Sequence, residues 1–241
     1  MRIKKDKGSL EYIYCLLCVF IVCLITIISV NVSTYKMKKE HIENFVTDSV
    51  LSGAVINLSR FNMTGYITNY DIKKTYSNFT TCLKNNLKLG TTTQTNGVIT
   101  NFKGPEKDLI ITNDQDAIKI TDYYLYNSEY DGDPKEENTT GKFYVMKLIE
   151  NNTVNNNPQN VLYSENINNT TVTLSESTGK NKIVPLKANT MVIYVRLEIK
   201  LKNFSIGIWG NEYYTDKTTG IHEYLVDVTE NEVYRHEKEN I

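Results

Sequence analysis

YIYCLLCVFIVCLITIISV, residues 12–30, carries no charged side chain, and Thr26 and Ser29 are its polar interruptions. Wound as an α-helix at about 1.5 Å per residue it rises about 28 Å, close to the ~30 Å thickness of a bilayer's hydrocarbon core. Tyr12 and Tyr14 fall near one end and Tyr35 just past the other, where an amphipathic ring prefers to lie, and charged residues close both ends. The stretch therefore predicts a transmembrane helix over 12–30. A short basic segment with Arg2, Lys4, Lys5 and Lys7 precedes it, as in a secretory signal. The apolar run is longer than an ordinary signal core of about 7–15 residues, and no Ala-x-Ala site follows, so retention is expected rather than cleavage.

Orientation turns on flanking charge. Lys36, Lys38 and Lys39 nearly balance the four basic residues on the other side, and the free amino terminus tips the count. The expected arrangement is a cytoplasmic basic terminus over 1–11, the span over 12–30, and the remaining chain outside the cytoplasm.

Composition bounds the rest. Lys and Arg total 27 against 28 for Asp and Glu, a formal charge of -1 over 241 residues, so no basic excess draws nucleic acid. Cys15, Cys18 and Cys23 lie inside the apolar run and Cys82 alone lies beyond it, which excludes a disulfide framework within the outer domain. The Cys15-x-x-Cys18 spacing resembles a redox motif or half of a zinc site. Zinc wants a second pair, and thiolates are costly in hydrocarbon, so small apolar residues of a membrane helix are the reading adopted.

Past the span, residues 31–90 read as a helical stalk and a second helix. From Lys36 to Leu58 neither Pro nor a Gly-rich break intervenes, so the spanning helix is expected to continue into an amphipathic half. Ile42, Phe45, Val46, Ser49, Gly53 and Ile56 share one face, and the small pair Ser49-x-x-x-Gly53 would let another element approach closely. After a turn around Asn62 to Gly65, Ile72, Tyr76, Phe79, Leu83 and Leu87 recur at helical spacing and predict a helix from Tyr70 to about Leu87, ended by Gly90.

Beyond residue 90 the period falls to two. Asp116–Tyr126, Lys142–Ile149 and Thr190–Leu201 read as strands. In the last, Ile193, Val195, Leu197, Ile199 and Leu201 alternate with Tyr194, Arg196, Glu198 and Lys200, which predicts one buried and one wetted face. Shorter strands are expected at Val98–Phe102, Leu109–Thr112, Thr171–Leu174, Phe204–Trp209 and His222–Val228. The Asn-, Asp- and Gly-dense stretches Asp131–Asn138 and Asn151–Asn160 read as surface loops. The expected fold class is α+β: a long membrane helix continuing into an amphipathic one, followed by a mostly antiparallel β-rich head over 91–241.

Chemistry is sparse. His41, His222 and His236 form no His-x-x-x-His pair, and no Gly-x-Ser-x-Gly elbow or phosphate-cradling loop is present. No catalytic residue, cofactor or metal is therefore expected. Asp131, Asp133, Glu136 and Glu137 cluster oxygen ligands as calcium loops do, without EF-hand spacing, and solvated charge is the reading adopted. Asn-x-Ser/Thr triplets at Asn57, Asn62, Asn78, Asn138 and Asn203 are expected by chance in a chain this rich in Asn and Thr.

The opening Lys7-Gly8-Ser9-Leu10-Glu11-Tyr12 followed by an apolar helix resembles the N-terminus of TadE-like and type IV pilin-like proteins. In those families a glycine and a glutamate bracket the start of a helix that runs on into a β-rich head. The stretch from Glu43 to Ser49 and the turn Gly65-Tyr66-Ile67-Thr68 are similar to membrane proteins of pilus and conjugation clusters. The resemblance covers roughly the first 90 residues. It implies a non-catalytic component of a cell-envelope assembly, with lipid and other membrane helices or pilin-like subunits as partners. It also implies that Gly8 and Glu11 are the processing and anchoring residues. Pilin sites place the glutamate five residues after the glycine, whereas Glu11 follows Gly8 by three. Two other functions are set beside this one: a tethered ligand-binding module using Trp209, Tyr213 and Tyr214, and an exported carboxylate-dependent hydrolase.

Overall fold

The computed structural model describes residues 7–54, 62, 71–108, 110–131, 140–159, 161–164, 171–174, 182–185, 191–202, 217–228 and 232–240. The expected strand at Phe204–Trp209 and the turn at Gly65–Thr68 lie outside them.

Helix α1 runs unbroken from Lys7 to Gly53. Its first part is exposed along its length, with Tyr12, Leu16, Val22 and Ile25 all solvent-facing in the isolated chain. Its last part behaves differently: Ile42, Val46 and Val50, one turn apart, are buried, while Glu40, His41, Asn44 and Asp48 around them are exposed. Thr26, Thr34, Thr47 and Ser49 each donate their hydroxyl to the carbonyl four residues back, which satisfies these polar groups within the helix itself.

Helix α2, Ile72–Leu87, starts where Asp71 accepts a hydrogen bond from the Lys74 amide at 3.0 Å, an N-cap. Its inner face is Ile72, Tyr76, Phe79, Leu83 and Leu87, all buried. Gly90 does not end this helix. Lys88 turns left-handed at φ 53, the Leu89 amide returns to the Lys84 carbonyl at 2.9 Å, and Gly90 is already the first residue of a strand.

The strands are β1 (Gly90–Thr95), β2 (Val98–Lys103), β3 (Ile118–Asp131), β4 (Thr140–Glu150), β5 (Thr153–Val154), β6 (Val161–Ser164), β7 (Thr171–Leu174), β8 (Lys182–Pro185), β9 (Met191–Lys202), β10 (Lys217–Asp227) and β11 (Glu232–Asn240). All described pairings are antiparallel. The main sheet runs β1-β2-β3-β9-β10-β11, and β7 and β8 form a separate ribbon. One edge of β3 is shared: its start pairs β2 and its later part pairs β4, which also carries β5 and β6. Two tight hairpins use left-handed residues that other side chains adopt with difficulty, Asn96-Gly97 between β1 and β2 and Asn151-Asn152 between β4 and β5. Leu109–Thr112, expected as a strand, makes an isolated bridge between Ile111 and Leu201. The Asp108 carboxylate takes the Ile110 and Ile111 amides at 2.7 and 2.9 Å, while the Thr112 amide and the Ile110 carbonyl bond the β9 backbone at 3.0 and 2.6 Å.

The core lies between the two helices and one face of the sheet. Ile118, Ile120, Tyr123 and Leu125 of β3, the alternating Ile193 to Leu201 of β9, and Tyr224 and Val226 of β10 meet Val46, Val50, Phe79 and Leu83 there. The opposite face carries Lys119, Arg196, Glu198 and Lys200, half-buried, in cross-strand pairs. Tyr194, on that same face, is buried and stacks on Tyr124 at 5.2 Å between centroids.

Candidate functional site

Four places concentrate chemistry: the helix junction, a buried aromatic cluster, a satisfied carboxylate in the sheet, and a cleft at the end of the head nearest the apolar span.

The helices α1 and α2 run antiparallel and approach closely at Gly53. A Cβ built there would stand 2.9 Å from Phe79 Cβ and 3.0 Å from the Thr75 carbonyl oxygen, too near for any other residue without a shift of one helix. One turn back, Ser49 is fully buried, and its hydroxyl accepts a hydrogen bond from the Asn86 amide at 3.3 Å. The sequence-picked pair Ser49 and Gly53 thus sits between helices of the same chain. Gly8 and Glu11 lie in the first turns of α1, and Glu11 is exposed.

Phe79 stacks on Tyr123 at 5.6 Å, and Tyr76 meets Tyr123 edge-on at 4.8 Å. Tyr76 donates to the Ile99 carbonyl, which ties α2 to β2. Burial pushes the Tyr76 and Tyr123 hydroxyls well above the ordinary phenol value of 10.0, and for Tyr76 the neighbouring Tyr123 adds to the effect. Burial, then the Asp122 carboxylate, does the same for Tyr124. Because the folded values are raised, the stability these neutral phenols contribute is complete below about pH 10 and is lost as pH climbs beyond it. Each further pH unit above that point should weaken the fold more, through Tyr76 and Tyr123 alike. Alkaline titration followed by circular dichroism and tyrosinate absorbance should show late tyrosines ionising together with loss of structure. Tyr123→Phe should move that midpoint upward, and an unchanged midpoint would exclude the assignment.

Asp122 is the one buried acid among the described residues. Its Oδ1 accepts from the Tyr124 hydroxyl at 3.0 Å and the Asn151 amide at 2.8 Å, and its Oδ2 from the Thr121 hydroxyl at 3.0 Å, with Arg196 Nη1 3.8 Å away. These bonds pin the β3 bulge to the β4–β5 hairpin, a structural use of a carboxylate. Nearby, Lys200 holds Asp116 at 2.6 Å, and that hydrogen bond lowers the Asp116 carboxyl below its ordinary range.

Described residues bound two recesses on the head. One of about 160 Å³ lies beside Lys73, Tyr76 and the Asn96-Gly97 hairpin, where Lys73 donates to the Asn156 carbonyl at 2.8 Å. The other, about 580 Å³, is bounded by α1 from Met37 to Phe45, the end of α2 from Asn86 to Lys88, and the Pro105–Ile110 connection.

No group of three or more metal-binding side chains occurs among the described residues. His41 is exposed beside Phe45, His222 is buried in the core on β10, and the side chain of His236 on β11 lies outside the described set. Of the acidic loop, Asp131 ends β3 while Asp133, Glu136 and Glu137 lie outside the described residues, as do Trp209, Tyr213, Tyr214, Asn57, Asn138 and Asn203. Asn62 is exposed and Asn78 is half-buried on α2. Cys15, Cys18, Cys23 and Cys82 are free thiols. Among the described residues one helix is long and apolar enough to cross a membrane, Glu11–Gly53. Compared with known proteins, the chain matches no family model, no curated protein and no solved structure.

Proposed function

We propose that this chain is a non-catalytic, membrane-anchored structural component of a cell-envelope assembly, of pilin-like or TadE-like type. In this reading residues 12–30 of α1 cross the bilayer, the same helix continues as an amphipathic half, and the β-rich head stands outside the cytoplasm. Glu11 and Gly8 mark the entry of the span, and other membrane helices or like subunits pack against it. The observation that carries the reading is the split character of one unbroken helix. Its apolar first part lies exposed, whereas Ile42, Val46 and Val50 of the same helix are buried against the head. Exposed apolar surface on that scale marks a surface made for lipid or for partner helices.

Intact-mass measurement of the chain isolated from membranes tests it. Retention of the full apolar stretch is expected, with or without loss of residues 1–8 by processing after Gly8. Loss of about the first 30 residues would overturn the anchor, and recovery of the chain in the soluble fraction would do the same.

A further inference from the structure

The ~580 Å³ cleft stands at one particular height on α1. Val30 closes the apolar run, and Met37 and Lys38 follow it by seven and eight residues, about 10–12 Å of helix. The headgroup layer of a bilayer extends roughly 5–7 Å beyond the hydrocarbon on each side, so the mouth of the cleft lies within a lysine side chain's reach of lipid phosphates. All three bounding segments belong to the same end of the head. The antiparallel packing of α2 on α1 brings the α2 C-terminus down beside Ile42 and Phe45, and the Pro105–Ile110 connection closes the third side.

The lining is two-sided in character. Ile42, Leu87 and Ile110 form a buried apolar floor, and Met37 and Phe45 extend it toward the opening. Around it stand three lysines from three different segments: Lys38 of α1, Lys88 past the end of α2 and Lys107 of the connection. Among the described residues none of the three is paired with a carboxylate, and Lys88 and Lys107 are exposed. The one acid in the lining, Asp108, turns its Oδ1 to the Ile110 and Ile111 amides and offsets one of the three lysine charges, so the lining keeps a positive excess. The result is a cationic rim over an apolar floor at headgroup height, which suits an amphiphile with a negative head.

We propose that this cleft binds one phospholipid with an anionic headgroup from the bilayer that holds α1, the phosphate among Lys38, Lys88 and Lys107 and the glycerol end over Met37 and Phe45. The inference rests on the membrane anchoring proposed above. Such a lipid would fix the height and tilt of the head over the membrane, because it bridges α1, α2 and the connection at once.

The test uses the full chain reconstituted in bilayer discs of phosphatidylcholine with a minority of phosphatidylglycerol, with spin-labelled lipids of each type reporting the protein-bound fraction. Three exposed or half-exposed charge contacts with one anion predict an association constant for phosphatidylglycerol on the order of tenfold above phosphatidylcholine. The triple variant K38Q/K88Q/K107Q should bring the two lipids to parity. The control K36Q/K84Q/K103Q removes the same charge without touching the lining, and should keep most of the preference. Equal loss in both triples would mean a diffuse surface potential and overturn the site, as would no preference in the unaltered chain. Abolition of the preference by millimolar inorganic phosphate would assign the rim to free anions and overturn the lipid. A chain that fails to enter the discs overturns the anchor as well, whereas one that enters and shows no preference overturns only the cleft.

Discussion

Phe79→Ala is expected to destabilise the head by about 3–5 kcal/mol, a large share of the roughly 5–15 kcal/mol that holds a domain folded. Phe79 is fully buried where α1, α2 and β3 converge, its ring stacked on Tyr123 and its backbone against Gly53. Removing the ring leaves a cavity whose walls are a helix pair and a sheet, neither of which collapses easily. Gly53→Ala should add its own cost of about 1–3 kcal/mol by overpacking. The atoms it strikes are Phe79 Cβ and the Thr75 carbonyl oxygen, which rotamer changes cannot move. Alanine at 79 keeps that Cβ, so Phe79→Ala should not rescue Gly53→Ala. Denaturant unfolding of the full chain in micelles, followed by near-ultraviolet dichroism, reads all three variants. Rescue in the double variant would show that the ring, and not the backbone approach, sets the helix spacing.

The parts of this fold that are legible in the sequence are those where burial writes a period. Tyr70 to Leu87 announces α2 because Ile72, Tyr76, Phe79, Leu83 and Leu87 all face the core. The alternation from Ile193 to Leu201 announces β9 because the strand is flanked on both sides, by β3 and β10, with one face turned to the core. What the period does not announce is held by something else. β1, GTTTQT, has no apolar residue and is a strand because the Asn96-Gly97 turn folds it onto β2, a hairpin signal present in the sequence and passed over by a reading of periodicity. The Asn151-Asn152 turn likewise makes a hairpin of a stretch that reads as loop. β11, EVYRHEKEN, lies at the edge of the sheet, where charge deters further pairing and erases the apolar signal. The cleft was not legible at all, because Lys38, Lys88 and Lys107 are far apart in the chain and meet only when α2 folds back along α1. Gly8 and Glu11 stand at the start of α1, where burial writes no period, and Glu11 is exposed.

Ile21→Arg with Ile25→Arg is expected to release the chain from the membrane while leaving the head folded. Of the 19 residues from Tyr12 to Val30, 12 are Ile, Leu, Val or Phe. At about 0.3–0.6 kcal/mol each they favour insertion by roughly 4–7 kcal/mol. Two arginines at the middle of the span oppose this by about 5–7 kcal/mol, and the two lost isoleucines remove roughly 1 kcal/mol more, so the balance turns against insertion. Both positions are exposed along α1 and contact none of the core, so the same change costs the head nothing. That combination separates a lipid-facing helix from a core helix of a water-soluble protein, in which two buried arginines would unfold the domain. Carbonate extraction followed by limited proteolysis decides the matter: a soluble, protease-resistant head supports the span, whereas a chain that stays membrane-bound with both arginines in place would show that surface other than residues 12–30 holds it there.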